Sequence, residues 1–229
     1  MQRVANSVPK RALDVVGASL GLVLLSPLLL TLGALIRLTM GSPVLYRQQR
    51  LGQFGHTFDI VKFRSMRPPR EGEEELLTDA GRVTRIGRLL RRTSLDELPE
   101  LFLVLTGQMS LVGPRPLLPV YQQLMDDHQR VRLQARPGIT GLAQVNGRQH
   151  LRLSQRLELD VRYVETWTFR QDLQILLQTI ASVFRATGVQ TGQDLSDIDD
   201  IGLEAMLAEE SARRTGPEPE AGSASGAGA

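Results

Sequence analysis

The longest apolar stretch of the chain lies near its N-terminus. Between Asp14 and Arg37 there are 22 residues without a charged side chain, most of them Leu, Val, Ala and Gly. A helix needs about 20 such residues to cross the hydrocarbon core of a bilayer. A secretory signal would have an apolar region of only about 7–15 residues and then a cleavage site with small side chains. No clear site follows, so the pattern predicts a retained membrane helix.

Ser26 and Pro27 interrupt this stretch near its middle. Proline removes one backbone hydrogen bond from a helix. In lipid the freed carbonyl needs another donor, which a serine hydroxyl can supply. Cations flank both ends, at Lys10 and Arg11 and from Arg37 onward, as expected if both ends lie on the cytoplasmic side. Three interpretations stay open from these residues: a re-entrant helix–break–helix, one kinked spanning helix, and a buried core helix.

Beyond this segment the pattern changes to that of strands. Short apolar runs at residues 44–46 and 58–63, separated by a glycine-containing turn, predict a β-hairpin. Four cations lie on or next to it: Arg47, Arg50, Lys62 and Arg64. They form either a solvated basic surface or an anion pocket that Lys62 or Arg64 enters.

Helical spacing dominates the remainder of the chain. The fold class predicted is therefore α+β and mostly helical, with one small β-hairpin and amphipathic helices at the membrane interface. The apolar stripe on the last predicted helix, residues 173–184, is typical of a helix in a protein core. Beside a membrane segment, it is also typical of a helix in the lipid headgroup region. The predicted helices cover residues 82–92, 98–105, 117–134, 151–167 and 173–184.

A short acidic run, residues 94–97 (Ser-Leu-Asp-Glu), separates the first two of these helices. It fits a capping box, with the serine as N-cap and Glu97 at the third helical position. Asp96 has a second interpretation, because the positive end of the helix and nearby arginines favour an ionised carboxylate. Such a group can bind Mg²⁺ or attack phosphorus. Arg91 and Arg115 lie near it in the sequence, and guanidinium groups suit phosphate.

Charge is distributed unevenly along the chain. Residues 1–70 carry ten Lys or Arg and two acids, whereas residues 193–229 carry nine acids and two Arg. A basic front indicates an anionic partner, either nucleic acid or an anionic membrane. The apolar segment and the aromatic content of 4% argue against nucleic acid. The absence of Cys excludes disulfides and thiolate metal sites, and three His argue against a His-rich zinc site.

Eight motifs follow one another in order along about residues 8–190. They are Lys-Arg-Ala-Leu-Asp at 10–14, Ser-Pro at 26–27, Gly-Ser-Pro-Val at 41–44, Lys-Phe-Arg-Ser-Met at 62–66, Ser-Leu-Asp-Glu-Leu-Pro at 94–99, Met-Ser-Leu-Val-Gly-Pro-Arg-Pro at 109–116, Arg-Pro-Gly-Ile-Thr-Gly-Leu-Ala-Gln-Val-Asn-Gly-Arg at 136–148 and Asp-Val-Arg-Tyr-Val at 160–164. With these motifs the chain resembles the monotopic phosphoglycosyl transferases, the bacterial sugar transferase family that starts glycan assembly on polyprenol phosphate. One motif alone is weak, but the ordered set is specific.

The resemblance implies a re-entrant membrane helix and a two-step reaction. Asp96 would attack the β-phosphate of a UDP-sugar, releasing UMP and forming an aspartyl phosphosugar. Polyprenol phosphate would then attack this intermediate. Such a reaction is the initiating step of exopolysaccharide, O-antigen or glycoprotein glycan synthesis. Glu97 would be the second acid of the family's dyad, acting as metal or geometry support or as a base. Mg²⁺ is the implied cofactor, with Asp96 as its protein ligand.

The other site residues also follow from the resemblance. Lys62, Arg64, Arg91 and Arg115 would bind phosphate, and Asp160 is either a salt-bridge partner for an arginine or an active-site support. This chain has Leu where many members have Trp at position 142, so we expect no uridine stacking there. The candidates for contacts to UMP or sugar phosphate are Arg136, Gln144 and Arg148.

Three regions with different surroundings are therefore expected. Residues 1–40 form the membrane helix, 41–190 a cytosolic catalytic domain, and 191–229 an acidic, largely disordered tail. The protein would lie on the cytoplasmic face of the bacterial inner membrane, in contact with its lipids. The sequence allows a homodimer and favours no nucleic-acid partner. The rival hypothesis is a membrane-anchored scaffold without catalysis, in which the acidic pair only caps a helix.

Overall fold

The structure, a computed structural model, describes residues 7–68, 79–147, 151–184 and 199–202. These form a mostly helical α+β arrangement with two small sheets, which confirms the predicted fold class. The helices are α1 (Val8–Met40), α2 (Asp79–Arg82), α3 (Arg85–Thr93), α4 (Leu101–Thr106), α5 (Tyr121–Leu124), α6 (Asp127–Arg130), α7 (Leu142–Val145), α8 (Leu153–Glu165) and α9 (Phe169–Phe184). The strands are β1 (Leu45–Leu51), β2 (Thr57–Phe63), β3 (Ser110–Val112) and β4 (Gly138–Thr140).

Helix α1 contains the long apolar segment. It has 33 residues and contains an 18-residue window with a mean hydropathy of 2.2, so by length and composition it could cross a membrane. The helix continues through Pro27, so the re-entrant geometry inferred from Ser26 and Pro27 stays a prediction. Ser26 Oγ donates to the carbonyl of Val23 at 2.8 Å. That carbonyl would otherwise accept from residue 27, which has no N–H. The predicted role of the serine hydroxyl is confirmed.

Both halves of α1 pack against the remainder of the protein. Ala18, in the first half, is fully buried in a cluster with Leu101 and other residues of α4. Leu32 and Ile36, in the second half, join a cluster with Phe63 at the end of β2. The surface of α1 that faces away exposes many Val and Leu side chains. The helix therefore lies along the folded domain on one side and presents an apolar face on the other.

The cations at the N-terminal end of α1 are used inside the protein. Lys10 is buried, and its ammonium donates to Val112 O at 2.8 Å, Tyr163 OH at 3.1 Å and Asp172 Oδ2 at 2.8 Å. Arg11 donates to two carbonyl groups near the end of α4, both at 2.6 Å. These two residues fix α1 to the domain, and their predicted position on the cytoplasmic side stays a prediction.

The predicted β-hairpin is confirmed. Strands β1 and β2 are antiparallel, from the Leu45–Phe63 pair to the Leu51–Thr57 pair, with a short 3-10 turn between them. Because side chains alternate along a strand, Arg50 faces the half-buried side of β1 and Arg47 the exposed side.

A second sheet holds two loops close together. Strands β3 and β4 are parallel and pair Ser110 with Gly138. A Cβ on Gly138 would lie 2.1 Å from the backbone nitrogen of Gly113. Only glycine permits such a close approach of two backbones. The loop that carries Arg115 is thereby fixed against β4.

Two predicted helices are interrupted, each by a residue that caps the next one. The helix expected over 82–92 breaks at Thr84, which accepts from Gly87 N at 2.9 Å and starts α3. The helix expected over 117–134 is divided into α5, α6 and a 3-10 turn, because Asp126 and Gln129 form a capping box. The helices expected over 151–167 and 173–184 are confirmed as α8 and α9.

The described part of the C-terminal region contacts α8. Asp200 accepts from the backbone and hydroxyl of Ser154 at 2.9 Å and 2.5 Å. Ile201 packs on the hydrophobic cluster that contains Leu157. The rest of the tail expected to be disordered, 191–198 and 203–229, lies outside the described residues.

Candidate active site

The acidic pair lies on a 3-10 helix, Leu95–Glu100, that directly follows α3. Ser94 has a φ of 56°, and its backbone N–H closes α3 by donating to Arg91 O at 3.2 Å. A left-handed residue that ends one helix lacks the extended backbone that an N-cap needs. Its side chain caps nothing. The predicted capping box of Ser94 and Glu97 is therefore wrong.

Glu97 is held by two cations from distant parts of the chain. Its Oε1 accepts from Lys62 Nζ at 2.5 Å and from an Arg115 guanidinium nitrogen at 2.8 Å. Strand β2 supplies the lysine, and the loop after β3 supplies the arginine. Burial raises the pKa of Glu97, but Arg115 and Lys62 outweigh it and hold the pKa well below its usual range. Glu97 is thus ionised at neutral pH and fixes the positions of both cations.

Asp96 is buried but uncommitted. Its side chain is 8% exposed and makes no hydrogen bond to any described residue. Burial and the neighbouring Glu97 raise the pKa of Asp96, against the influence of Lys62, Arg91 and Arg115. The arginines favour the ionised form, as expected, but desolvation outweighs them, so the net shift of the pKa is upward. The carboxylate oxygens are free to contact a ligand.

A third acid, which the sequence analysis missed, joins the pair. Glu100 is 3% exposed, and its Oε1 forms a long ion pair with Lys62 Nζ at 3.4 Å. Burial raises its pKa to about 7; Lys62 opposes this and Glu97 adds to it. Residues three apart are eclipsed on a 3-10 helix, so the spacing from Glu97 was the signal that could have identified it.

Arg91 approaches the pair from α3, and Ser65 after β2 orients it. Arg91 Nε donates to Ser65 Oγ at 2.9 Å. Arg64, also a predicted phosphate ligand, lies elsewhere. Its buried guanidinium donates to the carbonyl groups of Met40, Gly41 and Ser42 at the end of α1. The phosphate role predicted for Arg64 is wrong, since its donors satisfy a helix C-terminus.

Asp160 acts through an arginine that the sequence analysis missed. It is 2% exposed and accepts from Arg132 Nε at 3.1 Å and from a terminal guanidinium nitrogen at 2.8 Å. The same nitrogen of Arg132 donates to Arg115 O at 2.5 Å. Of the two alternatives for Asp160, the salt bridge is confirmed, and it supports the loop of Arg115. The other alternative, an active-site support role, stays a prediction, and Asp160 itself is enclosed by protein.

The remaining candidates lie on the loop around β4. Arg136 is half-buried and makes no side-chain hydrogen bond to a described residue. Both amide atoms of Gln144 are buried without a hydrogen-bond partner there. Neither is bonded to the acidic pair. Arg148 lies outside the described residues.

A small polar cavity adjoins the acidic pair. Its volume of about 40 Å³ has room for a few waters and not for a sugar nucleotide. A large substrate would therefore bind outside it, over the exposed part of Arg115. The lining residues are Arg50, Ile60, Lys62, Glu100, Arg115, Pro116 and Gly138.

The carboxylates of this site suit a metal ion that needs few protein ligands. Among the described residues no group of three or more His, Cys, Asp or Glu side chains could hold an ion together. Mg²⁺ keeps several waters and needs only one or two protein carboxylates. Asp96 meets that requirement, because its carboxylate oxygens accept no hydrogen bond from a described residue.

Comparison with known proteins agrees with this geometry. A family model described as bacterial sugar transferase matches residues 5–186. The uncharacterized sugar transferase EpsL of Bacillus subtilis is 45% identical over 79% of this chain and 90% of its own length. The UDP-glucose:undecaprenyl-phosphate glucose-1-phosphate transferase of Caulobacter vibrioides is 43% identical over 80% and 72%. The exopolysaccharide production protein ExoY of Rhizobium meliloti is 37% identical over 81% and 90%.

The match spans helix α1, the hairpin, the acidic pair and both loops that surround it. It confirms the resemblance inferred from the ordered motifs. The chain belongs to the bacterial sugar transferase family, and its enzyme type is phosphoglycosyl transferase.

Proposed function

We propose that this protein transfers a sugar 1-phosphate from a UDP-sugar to polyprenol phosphate through a covalent intermediate on Asp96. The main supporting observation is that Asp96 is a buried carboxylate that accepts no hydrogen bond from a described residue. It lies beside Glu97, which two cations fix in place. Phosphoryl transfer needs positioning and charge neutralisation above all. The relatives named as glucose-1-phosphate transferases act on undecaprenyl phosphate, which supports the same acceptor here.

The first step forms an ester on the protein. An Asp96 oxygen attacks the β-phosphorus of the UDP-sugar, and the bond from that phosphorus to the oxygen bridging the α-phosphate breaks. UMP leaves with the electron pair. Lys62, Arg91 and Arg115 neutralise charge on the phosphate oxygens. Glu97 holds Lys62 and Arg115 in position and does not accept a proton, because its pKa is well below the usual range.

The second step regenerates the acid. A phosphate oxygen of polyprenol phosphate attacks the same phosphorus, the bond to Asp96 breaks, and the product is a polyprenol diphosphate sugar. Dividing the transfer between two bulky substrates lets each bind in turn. Mg²⁺ bound through Asp96 would add neutralising charge at the phosphates.

The contacts of α1 support a position on one face of the membrane. A straight helix of 33 residues is about 50 Å long, whereas the hydrocarbon core is about 30 Å thick. Because both halves of α1 pack on the polar domain, a spanning orientation would carry that domain into lipid. We therefore propose a monotopic arrangement on the cytoplasmic face, with the apolar side of α1 in the bilayer.

A panel of UDP-sugars tests the function. We expect the detergent-solubilised protein with Mg²⁺ to release UMP from UDP-glucose, the donor of the named relatives. UDP-galactose is the first competitor, because a relative of 36% identity is named a galactosyl transferase. Mass spectrometry should show a phosphosugar adduct that is lost in Asp96→Asn. The control is Asp59→Asn, which changes an exposed acid of β2.

Two results would count against the proposal. Absence of UMP release from every donor would favour the non-catalytic scaffold. Unchanged turnover by Asp96→Asn would reject this residue as the nucleophile while leaving the reaction itself in place.

A further inference from the structure

Arg50 lines the cavity beside the acidic pair together with Arg115. We propose that these two arginines form a second phosphoryl-binding subsite, in which Arg50 contacts phosphate oxygens of one of the two substrates. The proposal rests on the proposed function for the identity of those substrates. It adds a residue that neither the motifs nor the position of the acidic pair indicated.

The side chain of Arg50 is held in place but not fully used. One terminal guanidinium nitrogen donates to Gln48 Oε1 at 2.5 Å, two residues earlier on the same face of β1. Its Nε is buried and has no hydrogen-bond partner. A guanidinium has five N–H donors, and a buried donor without an acceptor is unfavourable. An oxygen-rich ligand at the cavity would supply the acceptors that the protein does not.

No described carboxylate neutralises Arg50 directly. Glu100 lines the same cavity, but its ion pair is with Lys62 at 3.4 Å, and no acid of the described residues lies within 4 Å of Arg50. Burial and the proximity of Arg115 lower the pKa of Arg50 to about 10, so it is still charged at neutral pH. Two like charges held at one cavity favour an anion between them.

Phosphate matches this arrangement better than a carboxylate does. Arginine pairs bind phosphate oxygens through several donors in fixed directions. Arg115 is half exposed, at 46%, and also bonds Glu97, so the subsite is continuous with the surface around Asp96. The cavity has room for part of a phosphoryl group and not for the nucleoside or the lipid chain. The ligand would thus insert phosphate oxygens and leave its remainder outside.

The two possible sources of the phosphate can be separated by kinetics. In Arg50→Gln we expect the KM for one substrate to rise about 10- to 100-fold, as for loss of a charged hydrogen bond. A rise for the UDP-sugar assigns the subsite to the donor, and a rise for polyprenol phosphate assigns it to the acceptor. The matched control is Arg47→Gln, the same change of charge on the exposed face of β1. Equal KM values in the two variants for both substrates would overturn the proposal.

A binding measurement keeps the test independent of turnover. We expect inorganic phosphate to raise the Tm of the wild type and of Arg47→Lys, and to raise that of Arg50→Lys clearly less. Arg50→Lys preserves charge, so it can be used even if Arg50→Gln does not fold. An equal shift in the two variants, or none in the wild type, would overturn the subsite. Failure of the wild type to release UMP would instead reject the proposed function, and the phosphate titration would still decide the subsite.

Discussion

Two buried ionic clusters in this protein are made of the same kinds of side chain and differ in how completely they are hydrogen-bonded. At the N-terminal end of α1, the ammonium of Lys10 donates to three acceptors, and both oxygens of Asp172 accept from neighbours. At the acidic pair, Asp96 accepts no hydrogen bond from a described residue, and Glu100 has only a long ion pair with Lys62, at 3.4 Å.

This difference separates a structural role from a functional one. A buried polar network stabilises a fold only when its members are satisfied, because each unpaired group is unfavourable. The Lys10 cluster meets that condition and joins α1, β3, α8 and α9. The acidic cluster does not, and its unpaired atoms lie where a substrate can complete them. Unsatisfied groups beside perturbed pKa values are thus a better guide to function here than the presence of charge.

The largest expected effect comes from Asp96→Asn, which should lower kcat by on the order of 10⁴-fold or more. Its Tm should not fall, because the raised pKa of Asp96 means that a neutral side chain suits the folded state at neutral pH. Asp172→Asn is the matched change in the Lys10 cluster, and it should lower the Tm. Circular dichroism measures both Tm values. An equal loss of Tm in the two variants would contradict the difference between the two clusters.

The next effect concerns stability. Lys10→Met should lower the free energy of unfolding by about 3–5 kcal/mol, because it leaves Asp172 charged and buried without its cation. For a chain of this size that is roughly 6–20 °C in Tm. The control is Arg37→Met, which removes an exposed cation from the same helix. If both variants unfold at the same temperature, the Lys10 cluster does not hold α1 in place.

The sequence predicted those features that depend on local pattern. The hairpin follows from two short apolar runs and the glycine-containing turn between them. The approach of Lys62, Arg91 and Arg115 to the acidic pair was inferred from ordered motifs. The predictions that failed concern residues whose role depends on a partner distant in the sequence. Arg64 resembles a phosphate ligand in sequence, but its partners are carbonyl groups at the end of α1, more than twenty residues earlier.

The same reason explains the other differences at the site. Whether Ser94 caps a helix depends on the end of α3, and its left-handed backbone already closes that helix. Glu100 was missed because its burial is created by packing of the hairpin on the 3-10 helix, which a local motif does not reveal. The upward shift of the Asp96 pKa was not foreseen, because the sequence shows the nearby cations and not the desolvation that outweighs them.

Glu100→Gln should show a pH-dependent gain in stability. The pKa of Glu100 is about 7 in the folded protein against 4.5 for the ordinary side chain. The folded state therefore loses stability as pH rises from about 4.5 to 7, by up to about 3 kcal/mol. Glutamine removes that loss, so the variant should match the wild type at pH 4.5 and exceed it in Tm at pH 8. The control is Glu165→Gln, an exposed acid of α8, and a gain independent of pH would contradict the raised pKa.

The smallest expected effect tests whether the Lys10 cluster tolerates the loss of one hydrogen-bond donor to Asp172. The indole nitrogen of Trp167 donates to Asp172 Oδ2 at 3.0 Å, while that carboxylate also accepts from Lys10 and Tyr163. Trp167→Phe removes one of three hydrogen bonds and keeps an aromatic ring, so the loss should be about 1 kcal/mol. Turnover at low temperature should be unchanged. Unfolding followed by circular dichroism measures the loss, since the variant lacks the chain's one Trp. A loss as large as that of Lys10→Met would mean that the indole, and not the ion pair, is the main stabilising partner of Asp172.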